Sequence, residues 1–427
     1  MKSLFSIIAA FFALTAIAQI PTPGSLQTGP IAIIGGTAHV GNGEVIENAY
    51  IFIEEGMITA VGDMSAVRID RTQYEVIDAG GQHIYPGLIQ VNTTLGLEDI
   101  SAVRASRDDR EVGDFTPNVR SLIAYNTDSW HIPAQRHLGV LLAQPTPRGG
   151  YLPGTSAVVQ LDAWNWEDAA YAVDNGLHLS WPSPTYGARW WMGETERRKN
   201  PEYEDQVAAI DEIFRDAQEY MAFEGDQETN LKLEAMAPVF SGEKTLFIQA
   251  SRRRQIIESV QWAMDMGIPR VVIVEPRDAH LCMDFLTEFD IPVVLPQVHA
   301  LPSRDDGAVT ERFELPKMLH EAGIKVVLSY DDLQEARNLP FFAGTAVAYG
   351  LNYEAALAMI TLNAAEVLNI ADRAGSLEVG KDANIVISNG DLMDMRTNDV
   401  QVAMIQGRLL DLNGPHQKLY EKYKNKP

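Results

Sequence analysis

A chain of 427 residues, 46% hydrophobic and 22% charged, has the balance of a folded protein with a large core, long enough for one big barrel and a smaller domain. Its 34 Lys and Arg face 58 Asp and Glu, a net charge of −24, which excludes a nucleic-acid binder that works by neutralising phosphates and a protein that docks on anionic lipid. The single cysteine, Cys282, excludes an internal disulfide, so stability must come from core burial.

In chain order, residues 1–18 read as an export signal. Lys2 supplies a positive start, 4–14 is apolar, and Ala16-Ile17-Ala18 is a small-x-small cleavage site, so the mature chain should begin at Gln19 in the periplasm or outside the cell. The apolar run is shorter than the roughly 20 residues that span a bilayer, and no later stretch is long and apolar enough to span one, so no membrane association is expected after cleavage. From 31 to 78 come short strands, with 49–53 and 57–61 flanking Glu54-Glu55-Gly56 as a hairpin. After Gly80-Gly81 the rhythm changes. Strands are expected at 140–143, 157–161, 245–248, 270–274, 292–295 and 325–328, and helices at 256–266, 280–289, 315–322 and 353–360. Alternating strands and helices imply a parallel sheet covered by helices, and this many units suggest that it closes into a barrel. Between 162 and 242 the rhythm breaks. Trp164, Trp166, Trp181, Trp190 and Trp191 are read there as local packing, with a substrate platform as the alternative, and 202–220 as an acidic amphipathic helix. Strands return at 383–387 and 402–405, and 414–427 is a lysine-rich surface helix or tail.

Two stretches carry a resemblance. The first is Pro86-Gly87-Leu88-Ile89 with Leu95 downstream. The second contains Asn338-Leu339-Pro340, Ala348-Tyr349-Gly350-Leu351, Thr361-x-Asn363-Ala364-Ala365-Glu366, Gly375-Ser376-Leu377-Glu378-x-Gly380-Lys381-Asp382-Ala383 and Ile385-Val386. They resemble the amidohydrolase superfamily, in its imidazolonepropionase-like and prolidase-like branch. The resemblance implies a TIM (β/α)8-type barrel over 86–370, with an insertion at about 162–242, and a composite β-sandwich built from 19–85 and 371–427. It implies hydrolysis of a non-peptide or dipeptide-like C–N bond by a water that zinc activates at the C-terminal ends of the barrel strands.

Carried over residue by residue, the family's two first-strand histidines fall on Asn92 and Thr94, and the acid before them on Gln90. The middle-strand histidine falls on Gln249, or on Ser251 in the alternative register, and the next on Glu275; the last-strand aspartate is kept as Asp331. The zinc ligands expected for the family are therefore absent. Oxygen donors for a hard cation are the alternative. Asp331 becomes the catalytic candidate, with Glu275 as its acid/base partner if the barrel brings them together. Asn92, Thr94, Gln249 and Glu275 become contacts for a small polar ligand. His39 and His83 are assigned to the sandwich, and His131, His137, His178, His280, His320 and His416 to helices or surface segments. His299 is the histidine best placed to reach the barrel mouth. Cys282 reads as a buried thiol, and Arg252, Arg253 and Arg254 as a helix start or a carboxylate clamp. Three functions follow: a hydrolase with an altered site, a silent barrel that binds a small polar molecule, or a silent partner subunit of an intact relative in a homo- or hetero-oligomer.

Overall fold

The computed structural model describes residues 22–302, 307–330 and 332–426, so the export signal and Asp331 lie outside the described residues, as does the side chain of Trp190. Strands β1 (Ile31–His39), β2 (Val45–Glu54), β3 (Met57–Asp63), β4 (Glu75–Asp78) and β5 (His83–Pro86) come first. The next are β6 (Leu88–Thr93), β7 (Val140–Pro145), β8 (Gly154–Gln160) and β9 (Ala170–Ser180), then a small ribbon, β10 (Thr185–Tyr186) with β11 (Arg198–Lys199). After these follow β12 (Thr245–Gln249), β13 (Val271–Val274), β14 (Val293–Leu295) and β15 (Val326–Leu328), and last β16 (Ile385–Ser388), β17 (Val400–Ile405) and β18 (Arg408–Leu409).

Both ends of the chain share one sheet, in the order β18-β17-β16-β5-β1-β2-β3, with β4 beside β1. The join is β5 against β16, antiparallel from His83↔Ser388 to Pro86↔Ile385. On β2, Ala49, Ile51 and Ile53 alternate inward with a period of two, and Glu55-Gly56 closes the β2–β3 turn with φ of 50° and 81°, the left-handed pair that a two-residue hairpin needs. The sheet curls until Ile58 N donates to Lys381 O at 2.8 Å and encloses Ile33, Ile51, Ile53, Ile58, Leu377, Ile385 and Met404. Each fully buried isoleucine there contributes on the order of 1.5–3 kcal/mol.

The second sheet is the barrel, ordered β15-β14-β13-β12-β9-β8-β7-β6, and the segment holding Met359 and Ile360 closes it. Leu328 N donates to Met359 O at 3.1 Å and Ile89 N to Ile360 O at 2.9 Å. The expected parallel sheet needs one correction: β8 runs antiparallel to both β7 and β9. The loop 146–153 between β7 and β8 is shorter than the dozen or so residues of a parallel crossover, so the chain must turn straight back.

The expected insertion at 162–242 is corrected too, since β9 within it is a barrel strand paired with β8 and β12. Its middle reads Asp174-Asn175-Gly176, a turn signal, yet pairing on both sides overrides that local preference. Gly176 is needed because a Cβ there would come within 2.7 Å of the Phe247 ring and of Ser156 Oγ. Only the part after Ser180 stands outside the barrel. It contains the helix Tyr203–Ala222, expected at 202–220, which turns Ile210, Phe214 and Ala217 inward. Phe214 meets Trp262 edge-on at 4.8 Å, and Trp181 packs on Trp262 and donates from Nε1 to Tyr203 OH at 3.3 Å. Trp181 and the half-buried Trp166 are packing residues, whereas Trp164 and Trp191 are exposed.

Candidate functional site

The C-terminal ends of the barrel strands bring together most of the residues singled out in the sequence. Asn92, at the end of β6, and Glu275, just beyond β13, both have left-handed backbones, with φ of 53° and 56°. Asn tolerates this conformation, but Glu rarely adopts it, and such outliers concentrate where a site once demanded or still demands them. Gln249, ending β12, donates from Nε2 to Glu275 Oε2 at 3.2 Å. Thr94 is buried, and its carbonyl accepts from Leu97 N and Glu98 N. Gln90 ties β6 to the far side of the barrel, donating from Nε2 to Tyr330 O at 2.8 Å and to Ser329 Oγ at 3.2 Å. Beneath the mouth, Asn92 N donates to Gln144 Oε1 at 3.1 Å, Gln144 Nε2 donates to Ser156 Oγ at 3.0 Å, and Ser156 Oγ bonds His178 Nε2 at 2.8 Å.

A residue that the sequence analysis did not name enters this group. Because β8 runs backward, the loop 146–153 stays at the mouth instead of leaving along a helix. It is pinned there by Thr146 N to Thr93 O at 2.7 Å, Arg148 N to Asp109 O at 2.6 Å and Leu152 N to Asp114 O at 2.8 Å. From this loop Arg148 reaches into the barrel and donates from Nη1 to Asn92 Oδ1 at 2.8 Å and from Nη2 to Asn92 O at 3.1 Å. Among the described residues, Asn92, Arg148, His178, Ser180, Phe247 and Gln249 border a cavity of about 30 Å³, room for about one water. One available signal was Pro145-Thr146-Pro147-Arg148-Gly149-Gly150, a turn-rich run with no space for a helix between two expected strands.

His178 is the histidine at the mouth, which corrects its placement on a helix or surface segment. It lies buried on β9, stacked on Phe247 at 5.1 Å. Burial pushes its pKa down to about 3, the charge of Arg148 acting in the same direction, so the ring is neutral. His299 is not among the residues around the mouth cavity; its Nε2 bonds Thr345 Oγ1 at 2.6 Å. Arg252 pairs with Asp278 at 3.3 Å and Arg254 with Glu258 at 2.7 Å, the helix-start reading. The Cys282 thiol is buried and pushed up to about 11, which leaves it unreactive.

The described residues do not fit the zinc that the resemblance implies. Zinc calls for imidazole, thiolate and carboxylate, whereas among the described residues Asn92 and Gln249 offer amides, Thr94 a hydroxyl and Glu275 a carboxylate; Asp331, the second carboxylate of the inherited set, lies outside them. Among the described residues, no three His, Cys, Asp or Glu side chains are grouped as a metal site would require. The amide oxygen of Asn92 is already engaged by a guanidinium. A dication about 4 Å from that charge would meet roughly 8 kcal/mol of repulsion at an effective dielectric constant near 20.

Known proteins share this architecture. The sequence model of the amidohydrolase family matches residues 221–410. Amidohydrolase tasK of Hapsidospora irregularis is 20% identical over 410 residues, 90% of this chain but 41% of that protein, so the chain spans about two fifths of its length. An imidazolonepropionase of Rhizobium rhizogenes is 23% identical over 368 residues, 82% of this chain and 88% of that one. The crystal structure of an amidohydrolase from Thermotoga maritima MSB8 superposes with a TM-score of 0.76 at 22% identity, over 89% of this chain and 99% of that one. A prolidase complexed with N-methylphosphonate-L-proline superposes with a TM-score of 0.54 at 16% identity, over 89% and 99%. At these identities the structural likeness concerns the fold.

Proposed function

We infer, from the premise that this chain belongs to the amidohydrolase superfamily, that it is a non-catalytic barrel serving as the partner subunit of a related, metal-bearing amidohydrolase. One observation supports this reading: among the described residues, the cavity bordered by Asn92, Arg148 and Gln249 holds about 30 Å³, against the roughly 300–1,000 Å³ of a working ligand pocket. A small polar ligand bound at Asn92 and Gln249 would have to displace Arg148, so the closed mouth favours the partner role over the binder. The surface offers a place for a partner. The helix Pro415–Lys424 buries none of its residues and leaves Leu419, Tyr420 and Tyr423 in solvent. The test is to co-express the chain with metal-bearing amidohydrolases of the same genome and to measure masses by light scattering after size exclusion. A complex that Leu419→Glu with Tyr423→Glu dissolves is expected, with no hydrolysis of imidazolonepropionate or Xaa-Pro dipeptides by this chain alone, with or without added zinc. A chain that stays alone in every pairing, or that hydrolyses on its own, would refute the reading.

A further inference from the structure

We propose that Arg148 is the resident cation of this barrel: its guanidinium fills the place where three of the inherited ligand positions, Asn92, Gln249 and Glu275, meet, and closes the mouth there. The proposal deepens the reading above and rests on its premise that no metal is held there. Asn92 and Gln249 stand at inherited ligand positions and border the same small cavity as Arg148, and Glu275, at a third, is tied in through Gln249. The guanidinium grips one residue twice, at the side-chain oxygen and the main-chain oxygen of Asn92. That two-pronged contact suits a planar fork and not the point charge of a lysine. The left-handed turn at Asn92 gives its strand-end carbonyl to the fork, which accounts for a backbone conformation that a regular strand end does not need. His178 beside it is neutral and does not compete with it in charge. The loop that delivers Arg148 is fastened at Thr146, Arg148 and Leu152, so the side chain enters from a fixed base. The reversed strand β8 thus supplies both the loop and the cation.

Cutting the side chain back should leave a hole of matching shape and chemistry. Arg148→Ala is expected to lower Tm. Millimolar guanidinium chloride, far below denaturing levels, should restore it in a saturable way, and ammonium chloride at equal ionic strength should not. At ten times the Kd the folded-to-unfolded ratio rises about elevenfold. Arg148→Lys keeps the charge but not the fork, and should lose stability without regaining it from guanidinium. A measurement on the unaltered protein covers the case of a variant that fails to fold: the Arg148 guanidinium protons should exchange with solvent more slowly than those of exposed Arg253. Arg148→Ala as stable as the parent and indifferent to guanidinium, or Arg148 protons exchanging as fast as those of Arg253, would overturn the proposal. A chain that never pairs with a relative, yet shows guanidinium rescue, would sink the partner reading and leave this one standing.

Discussion

Replacing Asp162 with Ala strands a positive charge inside the protein. Its carboxylate is fully buried, and Arg136, whose side chain is 3% exposed, donates to Oδ1 from Nη1. Oδ2 accepts from Gly24 N at 2.8 Å and lies 3.6 Å from Arg408 Nη1, so one side chain joins the N-terminal segment, the barrel helix His131–Arg136 and the last strand of the flanking sheet. Among the described residues, Nε and Nη2 of Arg136 have no hydrogen-bond partner, and burial pulls its pKa down while the Asp162 charge holds it up. Breaking a buried pair by removing one member costs about 3–5 kcal/mol. With an unfolding entropy of about 2.1 cal/mol/K per residue, this length gives about 0.9 kcal/mol/K, so Tm should fall by about 3–6 °C in calorimetry. The double variant Arg136→Met with Asp162→Leu removes both charges, and should recover most of that loss because a well-packed apolar pair often matches a buried ion pair. A drop of less than about 1 °C for the single variant, or a double variant as unstable as the single, would show that the uncompensated charge is not what matters.

Two further outcomes are expected. Acid should weaken the fold through its histidines: burial depresses His178 to about 3, and burial followed by the charge of His39 lowers His83, both from an ordinary value of 6.5. The unfolded chain then takes up protons that the folded chain refuses, so this contribution is intact above pH 6.5 and declines as pH falls below it, for His178 by up to about 1.4 kcal/mol per pH unit. NMR should find no titration of the His178 ring between pH 5 and 8, and a ring that titrates near 6.5 would contradict its burial. We also propose that the chain is exported, so N-terminal sequencing of the mature form should start at or near Gln19, and Met1 retained on membrane-bound protein would defeat that expectation.

The sequence alone determined the features that depend on near neighbours. The hairpin around Glu55-Gly56 was legible because alternation and a left-handed turn pair lie within a dozen or so residues. The apolar runs that became β12, β13, β14 and β15 were legible for the same reason, and the ordered motif from Gly375 to Val386 marked the return to the flanking sheet. Sequence also fixed what the mouth lacks, since Asn92, Thr94 and Gln249 cannot be histidines in any fold. What fills the mouth was decided only in three dimensions. β9 hides behind Asp174-Asn175-Gly176 until β8 and β12 pair with it, and the direction of β8 follows from a loop too short to cross over. That direction carries Arg148 to Asn92, and the pairing of β9 with β12 carries His178 to Phe247, across sequence separations that no local periodicity can report. The physical reason is closure: a barrel strand is held by partners on both edges, and those partners, not its own residues, set which side chains meet at its end.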